Sequence, residues 1–474
     1  MNEVWFSWAD LCQASGGEWL GAGPVGHAAT GVSAVLDDSR AVTPGALFVA
    51  IQGEAVDGHR FVLSAAAAGA AAVCVSQAPT ADVLASLRGF GCAVLRVPDT
   101  LAAFQQLACR HRRSQPTLLV VGITGSCGKT STKEMLAAVL ERRYPGAVLK
   151  TEGNTNNHFG VPRNLLRLAG GHRAAVIEMG TNHPGEIGAL ARLVQPDIGV
   201  VSNLGAAHLE FFGDLAGVAA EKGELLALTT ATGLAVYHGD APHADILRAK
   251  AGARRTISFG AGLANDVIVT YRGLRGAAST FTLTWRREGV SVNVEWALGG
   301  AHQALNAGAA AAVGYALGLA PAEIAVGLRR VVLPAMRTEQ RTVNRVHWVN
   351  DAYNANPDSM RAGLACFLEL SAAAPPEARL LVLGDMLEQG VNGPAAHADL
   401  LDWVIPRARG AEIVVVGSLM TAAATNRGLR AFADSTAAAD YVRGRLLPDL
   451  WVFVKGSRGL RLERLLPPEE ASAP

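Results

Sequence analysis

A glycine-rich loop between an apolar run and a helical pattern is the stretch of this chain best suited to chemistry. Residues 118–123 are mostly apolar and lead into three glycines at intervals of three, the first of them inside this run. Lys129 and Thr130 then begin a helical pattern. The order predicts strand, loop and helix, with backbone N–H groups and a positive helix N-terminus around phosphate oxygens. The lysine would reach the β- and γ-phosphates, and the threonine hydroxyl would bind Mg²⁺. Because Ile123 replaces a glycine of the strict pattern, a chance Gly-rich turn is the alternative. The glycines are Gly122, Gly125 and Gly128.

Two further polar residues follow apolar runs in the next part of the chain. Glu178 ends the run 174–177, and His208 comes soon after the run 198–201. The carboxyl ends of parallel strands form the crevice in which such sheets bind ligands. We therefore expect Glu178 to complete the Mg²⁺ shell begun by Thr130, rather than to cap a helix or form a salt bridge. A lone histidine is more often structural, but this position suits a second metal ion.

The segment Glu221-Lys222-Gly223-Glu224 is harder to interpret. On physical grounds alone it indicates a solvated charge cluster on a helix. An amine does not bind Mg²⁺. Lys222 would become a ligand only after reaction with CO₂, which converts the cation to a carbamate anion.

Four other polar segments are candidates for ligand binding. Asn side chains in 154–162 are placed to orient phosphate or acyl oxygens, although a simple turn explains the same residues. Arg337 and the polar string 350–357, which follows a strand, favour a ligand surface facing the nucleotide domain. Ser39-Arg40 would suit an anionic ligand, but composition alone favours a solvated turn there.

Composition excludes several classes of protein. The chain has 474 residues, of which 50% are apolar and 18% charged, so we expect several globular domains. A net charge of +1 gives no reason to expect nucleic acid or an anionic membrane surface. The most apolar stretches are shorter than the roughly 20 residues of a membrane span, and the first residues lack the basic region of a signal peptide. Six scattered cysteines without a Cys-x-x-Cys pair favour reduced thiols in a cytoplasm.

The pattern of apolar runs predicts an α/β protein with three domains. We expect a small α/β N-terminal domain over 1–113 and a central phosphate-loop domain over 114–333 with a mostly parallel sheet and an antiparallel hairpin. The hairpin is predicted from period-two alternation in 280–285 and 291–296. A C-terminal Rossmann-like α/β domain over 334–474 completes the prediction.

With these residues in hand, the chain resembles the Mur ligase family along nearly its whole length. The displaced first glycine of the phosphate loop is usual in this family, so the departure at Ile123 becomes support. The string Asn350-Asp-Ala-Tyr-Asn-Ala-Asn-Pro357 is similar to that of the member that adds D-alanyl-D-alanine. The Asp-Asn-Pro-Arg string of the relative that adds diaminopimelate or lysine is not found. The motifs that carry the resemblance are 122–130, 154–157, 178–180, 207–210, 221–224, 300–302 with Asn306, 350–357 and 383–386.

The resemblance implies roles for individual residues. Lys129, His208 and Lys222 would be catalytic. Thr130, Glu178, His208 and carbamylated Lys222 would bind or position two Mg²⁺ ions. The residues expected to contact ATP are Thr124, Gly125, Ser126, Cys127, Gly128, Lys129, Thr130, Ser131, Asn306, Arg337 and Asp351. Those expected to contact the other substrates are Ser39 and Arg40 at the UDP end, Asn154 and Thr155, and Asn354 and Asn356 near the dipeptide.

The implied reaction belongs to peptidoglycan precursor synthesis. ATP would phosphorylate the terminal carboxylate of UDP-N-acetylmuramoyl-tripeptide, and the amine of D-alanyl-D-alanine would displace phosphate from the acyl phosphate. We expect a cytoplasmic monomer whose domains close around its substrates. The alternatives are another amide ligase of the superfamily, such as the folylpolyglutamate type, and a nucleotide switch or scaffold that uses ATP for regulation.

Cys127 carries one further expectation. It lies two residues before Lys129 and beside the predicted N-terminus of a helix. Helix potential and a neighbouring cation both favour the thiolate, so the sequence predicts unusual sensitivity to thiol reagents.

Overall fold

The computed structural model describes residues 5–21, 23–24, 30–53, 56–206, 208–275 and 278–467. Residues 1–4 and Ala207, which belong to the predicted N-terminus and to the 207–210 motif, lie outside the described residues. The chain forms two compact units. One comprises 1–120, 149–179 and 189–195, and the other comprises 121–148, 180–188 and 196–474.

Strands and short helices alternate along the chain. The strands are β1 (Phe6–Ser7), β2 (Glu18–Trp19), β3 (Gly31–Val32), β4 (Val35–Leu36), β5 (Leu47–Val49), β6 (Ala72–Val75), β7 (Ala93–Arg96), β8 (Leu119–Thr124), β9 (Val148–Lys150), β10 (Ala174–Glu178), β11 (Ile198–Val201), β12 (Leu234–His238), β13 (Arg255–Gly260), β14 (Val267–Arg275), β15 (Ala278–Trp285), β16 (Val290–Trp296), β17 (Glu339–Val343), β18 (Val346–Asn350), β19 (Arg379–Gly384), β20 (Glu412–Val416), β21 (Arg430–Phe432) and β22 (Trp451–Lys455). The α-helices are α1 (Trp8–Ser15), α2 (Val62–Ala67), α3 (Ala81–Gly89), α4 (Thr100–Arg113), α5 (Lys129–Leu140), α6 (Gly160–Leu165), α7 (Glu186–Val194), α8 (Leu209–Phe212), α9 (Leu215–Ala227), α10 (Ala244–Ala251), α11 (Ala301–Ala316), α12 (Pro321–Arg329), α13 (Pro357–Leu370), α14 (Gly393–Arg407), α15 (Ser418–Ala424) and α16 (Ser435–Arg445).

The first unit contains a small α/β sheet in the order β2-β7-β6-β5-β4. Strands β4 to β7 run parallel, and β2 is antiparallel to β7. All four residues of β6 are buried, as expected of a parallel strand covered on both faces. Strands β9 and β10 are also neighbours in the sheet order.

The second unit begins with the predicted phosphate-loop sheet. Its strands follow one another in the order β16-β15-β14-β13-β12-β11-β8. β8, β11, β12, β13 and β14 are parallel, and β14, β15 and β16 are antiparallel. The register pairs Trp285 with Val290, so the predicted hairpin is confirmed, with β14 as a third antiparallel strand that the sequence did not indicate.

The same unit contains a second sheet in the order β17-β18-β22-β19-β20-β21. All its strands are parallel except β17, which is antiparallel to β18. Buried aliphatic and aromatic side chains pack on both faces, with Phe453 in one cluster and Trp348 in the other. This is the predicted Rossmann-like arrangement. Among the described residues, no helix is long and apolar enough to cross a membrane.

Candidate active site

The glycine-rich loop lies at the carboxyl edge of the central sheet, where β8 and β11 end side by side. The parallel register pairs Val201 with Thr124, so the segments that follow the two strands meet. Ser202 donates its backbone N–H to Thr124 and its hydroxyl to the carbonyl of Cys127, at 2.9 Å each. Ser126 donates its hydroxyl to the carbonyl of Gly205 at 2.9 Å. The loop is thus held in place by the neighbouring strand end.

Lys129 begins α5, and its side chain folds back across the loop. The ammonium donates to the carbonyl of Gly125 at 2.8 Å. Gly128, the residue before the helix, has a φ of +77°. Positive φ and the N-terminus of a long helix form a cradle of the kind that binds phosphate.

Asn306 on α11 lies directly against this loop. A Cβ atom on Gly128 would be 2.4 Å from the Asn306 Oδ1 atom, which is closer than any real contact. The Asn306 side chain is buried and donates to Gln303 at 3.2 Å. The structure therefore brings the predicted ATP-binding residue Asn306 to the phosphate loop, across about 180 residues of sequence.

We expect Gly128→Ala to weaken both the fold and nucleotide binding. The left-handed backbone alone costs a β-carbon about 1–2 kcal/mol, and Asn306 must also move. Gly146→Ala is the matched control, because Gly146 has a φ of +67° and nothing within 4 Å of the new methyl. Thermal melts should show a larger fall in melting temperature for Gly128→Ala than for Gly146→Ala. The rise in melting temperature on adding Mg-ADP should also be smaller for Gly128→Ala. Equal losses in the two variants would contradict the role given to the Asn306 contact.

Cys127 is not the reactive thiolate that the sequence predicts. Burial raises the pKa of its thiol, and nearby Asp358 adds to the rise. A hydrogen bond from Asn203, at 2.9 Å, and the charge of Lys129 lower the pKa, but by less. The expected thiolate is therefore wrong, because desolvation of the anion outweighs the neighbouring cation.

Cys127 should accordingly react slowly with iodoacetamide at pH 8. Only the thiolate is nucleophilic, and a raised pKa makes it scarcer than in a free cysteine. Mass spectrometry of the peptide containing Cys127 should show slower alkylation in the folded protein than in the same protein unfolded in urea. Faster alkylation of the folded protein would restore the original expectation.

Lys222 on α9 is buried, which overturns the interpretation of 221–224 as a solvated cluster. Its side chain is 2% exposed. Burial, followed by the charge of Lys129, lowers its pKa to about 7, against smaller opposing effects of Glu221 and Cys127. The Glu221 carboxylate accepts backbone N–H groups of Gly185 and Ile187 at 2.8 and 2.9 Å, at the start of α7. With this pKa, about half of the amine is neutral at pH 7. The neutral amine is the form that reacts with CO₂.

His208 follows β11 and precedes α8, with a φ of +55°. Its Nδ1 atom lies 2.9 Å from Oε2 of Glu388, although the pair does not have hydrogen-bond geometry. The contact with His208 lowers the pKa of Glu388. Sequence reasoning did not single out Glu388.

Asp351 follows β18 at the carboxyl edge of the second sheet, and it is bonded to the residue after Arg337. Asp351 accepts the backbone N–H of Thr338 at 2.9 Å, and the Arg337 guanidinium stacks on the Tyr353 ring at 4.1 Å. Asp351 also pairs with the buried Lys455 at 2.6 Å. The sequence analysis gave Lys455 no role. A signal was nevertheless present, because Lys455 ends β22, which runs parallel to β18, the strand before Asp351.

The two asparagines expected near the dipeptide have local roles in the structure. Asn354 accepts the backbone N–H of Ala355 at 2.9 Å, and its carbonyl accepts from Lys455. Asn356 caps α13 by accepting the N–H of Ser359 at 2.8 Å, and Pro357 opens the helix. Helix capping therefore explains the Asn-Pro spacing at 356–357 without a substrate.

In the first unit, Glu178 lies at the end of β10 and is 1% exposed. Asn156 donates to it at 2.9 Å and also to Asn154 at 3.1 Å. Thr155 accepts from Asn164. The structure thus connects the predicted Asn154 turn to Glu178 through Asn156, another asparagine of that turn.

Ser39 and Arg40 form a short 3₁₀ turn in the first unit, over Ser39–Ala41. The Arg40 side chain is 88% exposed and pairs with Asp38 at 2.7 Å. This pairing lowers the pKa of Asp38 to about 2. The solvated turn favoured by composition is what the structure contains, and an exposed arginine also remains available to a ligand.

Comparisons with known proteins identify the family. The model of the Mur ligase family catalytic domain matches residues 32–112, the Mur ligase middle domain matches 123–314, and the glutamate ligase domain of Mur ligases matches 336–458. Proteins named UDP-N-acetylmuramoyl-tripeptide–D-alanyl-D-alanine ligase from Escherichia coli and Treponema pallidum are 37% and 35% identical to this chain. The alignments cover 92% and 93% of this chain and 93% and 94% of those proteins.

Solved structures agree. MurF from Acinetobacter baumannii has a TM-score of 0.86 at 32% identity and covers 97% of both chains. MurF ligase from Thermotoga maritima, in complex with ADP, has a TM-score of 0.78 at 25% identity and covers 91% of this chain and 96% of its own. Matched by sequence and by structure along nearly its whole length, the chain belongs to the Mur ligase family.

Proposed function

We propose that this chain joins D-alanyl-D-alanine to UDP-N-acetylmuramoyl-tripeptide at the expense of ATP, a step of peptidoglycan precursor synthesis. Relatives of that name cover more than nine-tenths of the chain. The observation that carries the proposal is that the phosphate loop, Asn306, Arg337 and Asp351 all lie in one compact unit, so both segments expected to hold ATP are present there.

The chain's own residues account for phosphoryl transfer. Lys129 would exchange its bond with the Gly125 carbonyl for the transferring phosphoryl group and offset its charge. Asn306 and the loop backbone would hold the nucleotide. Arg337 and Asp351, in the stretch 337–351, would also contact it. The tripeptide carboxylate attacks the γ-phosphorus and ADP leaves. The dipeptide amine then attacks the acyl carbon, its nitrogen gives up one proton, and phosphate leaves with the electron pair of the C–O bond.

The donor atoms suit Mg²⁺ that arrives with the nucleotide. Among the described residues, no group of three or more His, Cys, Asp or Glu side chains forms a metal site. Mg²⁺ keeps several waters and binds through one or two carboxylates plus substrate phosphates, so a sparse set of protein ligands fits it. The hydroxyl of Thr124 at the end of β8 is buried without a hydrogen-bond partner, which leaves a polar atom for the ligand. We keep Thr130, Glu178, His208 and Lys222 as the proposed ligands of two ions, which would neutralise phosphate charge.

Carbamylation of Lys222 is part of the proposal. The buried amine with a pKa of about 7 supplies the neutral nucleophile, and the carbamate would place an anion near the charge of Lys129. The reaction joins the amine nitrogen to the carbon of CO₂ and releases one proton.

The remaining substrate residues stay as predictions. Ser39 and Arg40 would contact the UDP end, Asn154 and Thr155 the acyl donor, and Asn354 and Asn356 the dipeptide. A cytoplasmic location is consistent with a reaction that uses ATP and with six cysteines that form no disulfide. A monomer is also a prediction.

A phosphate-release assay tests the function. ADP, phosphate and amide should form in equal amounts, and only when ATP, UDP-N-acetylmuramoyl-tripeptide and D-alanyl-D-alanine are all present. A nucleotide switch would hydrolyse ATP without the amine. Equal phosphate release with D-alanyl-D-alanine omitted would therefore overturn the ligase proposal.

A further inference from the structure

The loop that carries His208 is fixed from both sides. On the phosphate-loop side, Gly205 exchanges two hydrogen bonds with the Ser126 hydroxyl, at 2.9 and 3.0 Å. On the other side, Asp358 of α13 accepts the N–H of Ala206 at 3.1 Å. A Cβ atom on Gly205 would lie 2.0 Å from the Asp358 carboxylate, so only glycine allows this approach. The backbone is thus fixed as far as Ala206, two residues before His208.

A second segment, residues 385–388, contacts His208 itself. It follows β19, and the three residues before Glu388 are each anchored. Asp385 accepts the N–H of Met420 at 2.7 Å, Met386 donates to the buried His397 at 2.8 Å, and Leu387 donates to Ser457 at 2.9 Å. The segment therefore enters the contact with a fixed backbone.

Glu388 contacts His208 in a strained conformation. Its φ is +65°, and that of His208 is +55°. A left-handed backbone is unfavourable for a non-glycine residue and persists where its surroundings hold it. Two residues further on, a Cβ on Gly390 would be 3.0 Å from the Glu210 Cβ atom, so the two segments touch without a gap.

This geometry orients the imidazole. A carboxylate against Nδ1 favours a proton on that nitrogen, which leaves the Nε2 lone pair for a metal ion or a phosphate group. The 2.9 Å separation between Nδ1 and the Glu388 carboxylate is within hydrogen-bond distance. We propose that Glu388 is a positioning residue for His208. Glu388 belongs to the segment 385–388, so the His208 ring is oriented for its ligand only when that segment is packed against it.

A double-mutant cycle tests the proposal, which rests on the proposed function. If Glu388 acts through His208, Glu388→Ala should lower kcat about 10–100-fold and raise the Mg²⁺ concentration for half-maximal activity. The same substitution should cost nothing further in a His208→Ala background. Glu388→Gln keeps an acceptor and should retain most activity. Asp402→Asn, which removes an exposed carboxylate of α14 that pairs with Arg427, is the control and should be unchanged.

An equal loss from Glu388→Ala in both backgrounds, or no loss in either, would overturn the proposal. A readout independent of turnover is the ¹⁵N spectrum of histidine-labelled protein without metal, with His208 assigned by comparison with His208→Ala. The wild type and Glu388→Gln should show His208 protonated on Nδ1, and Glu388→Ala should not. An unchanged tautomer in Glu388→Ala also overturns the proposal. If the wild type makes no amide, the ligase function fails while this spectrum still decides the role of Glu388.

Discussion

Lys129→Ala should reduce amide formation at least about 10²–10³-fold, the usual cost of one lost donor to transition-state charge. The ammonium lies across the phosphate loop and is bonded there to the Gly125 carbonyl. In the complex it would neutralise charge that develops on the transferring phosphoryl group. Since this charge is largest in the transition state, the loss should fall mainly on kcat, with a smaller change in KM for ATP.

The fold should survive this substitution, because the Lys129 side chain is only partly buried and donates to a loop carbonyl. Thermal melting of Lys129→Ala should therefore stay close to that of the wild type. Arg287→Ala is a suitable control, since it removes an exposed cation at the hairpin connection. Near-normal turnover of Lys129→Ala would remove the assignment of the phosphate loop.

Lys222→Ala should be nearly inactive, and millimolar acetate or formate should partly restore it. The active form is expected to be a carbamate, which is a carboxylate on a long stem. The truncated side chain leaves room in a buried site for a small carboxylate to take its place. The measurement is amide formation against carboxylate concentration, with chloride as the ionic control. Full activity of Lys222→Ala without any added carboxylate would refute the role.

The lowered pKa of Lys222 also predicts a dependence on pH and CO₂. With a pKa of about 7, the amine is about nine-tenths neutral at pH 8, where an exposed lysine is almost fully charged. Activity of protein depleted of CO₂ should recover on adding bicarbonate, and recovery should weaken below pH 7 as the amine takes up a proton.

Burial of Lys222 disfavours its charged amine, so the unfolded state binds more protons than the folded state between pH 7 and 10.5. The destabilisation is full below pH 7 and fades as pH rises through that window.

Lys222→Met separates this chemistry from packing. The thioether keeps most of the side-chain volume and carries no charge, so the variant should melt above the CO₂-depleted wild type at pH 6 and remain inactive. A lower melting temperature at pH 6 would show that Lys222 contributes to the fold in its charged form.

Local patterns in the sequence were enough for the family, the α/β class and most strands. Parallel strands buried on both faces are written as continuous apolar runs, and a turn or polar residue ends each run at the carboxyl edge. For this reason the phosphate loop, the hairpin at 280–296 and the position of Glu178 could be predicted from residues close together in the chain. The predicted domain boundaries at 113 and 333 remain predictions.

Burial, pairing across the chain and the balance of electrostatic effects were decided only by the tertiary structure. Lys222 looked solvated because its neighbours in sequence are charged, yet it is buried, and Lys129 and Cys127 from a distant part of the chain act on its pKa. The pKa of the Cys127 thiol is raised rather than lowered for the same reason, since desolvation outweighs a cation two residues away. Asn306 against Gly128, Lys455 against Asp351 and Glu388 against His208 each join segments more than 100 residues apart. The spacing of residues along a chain predicts which side chains share one face of a helix or strand. The solvation of a charge depends instead on every element packed around it.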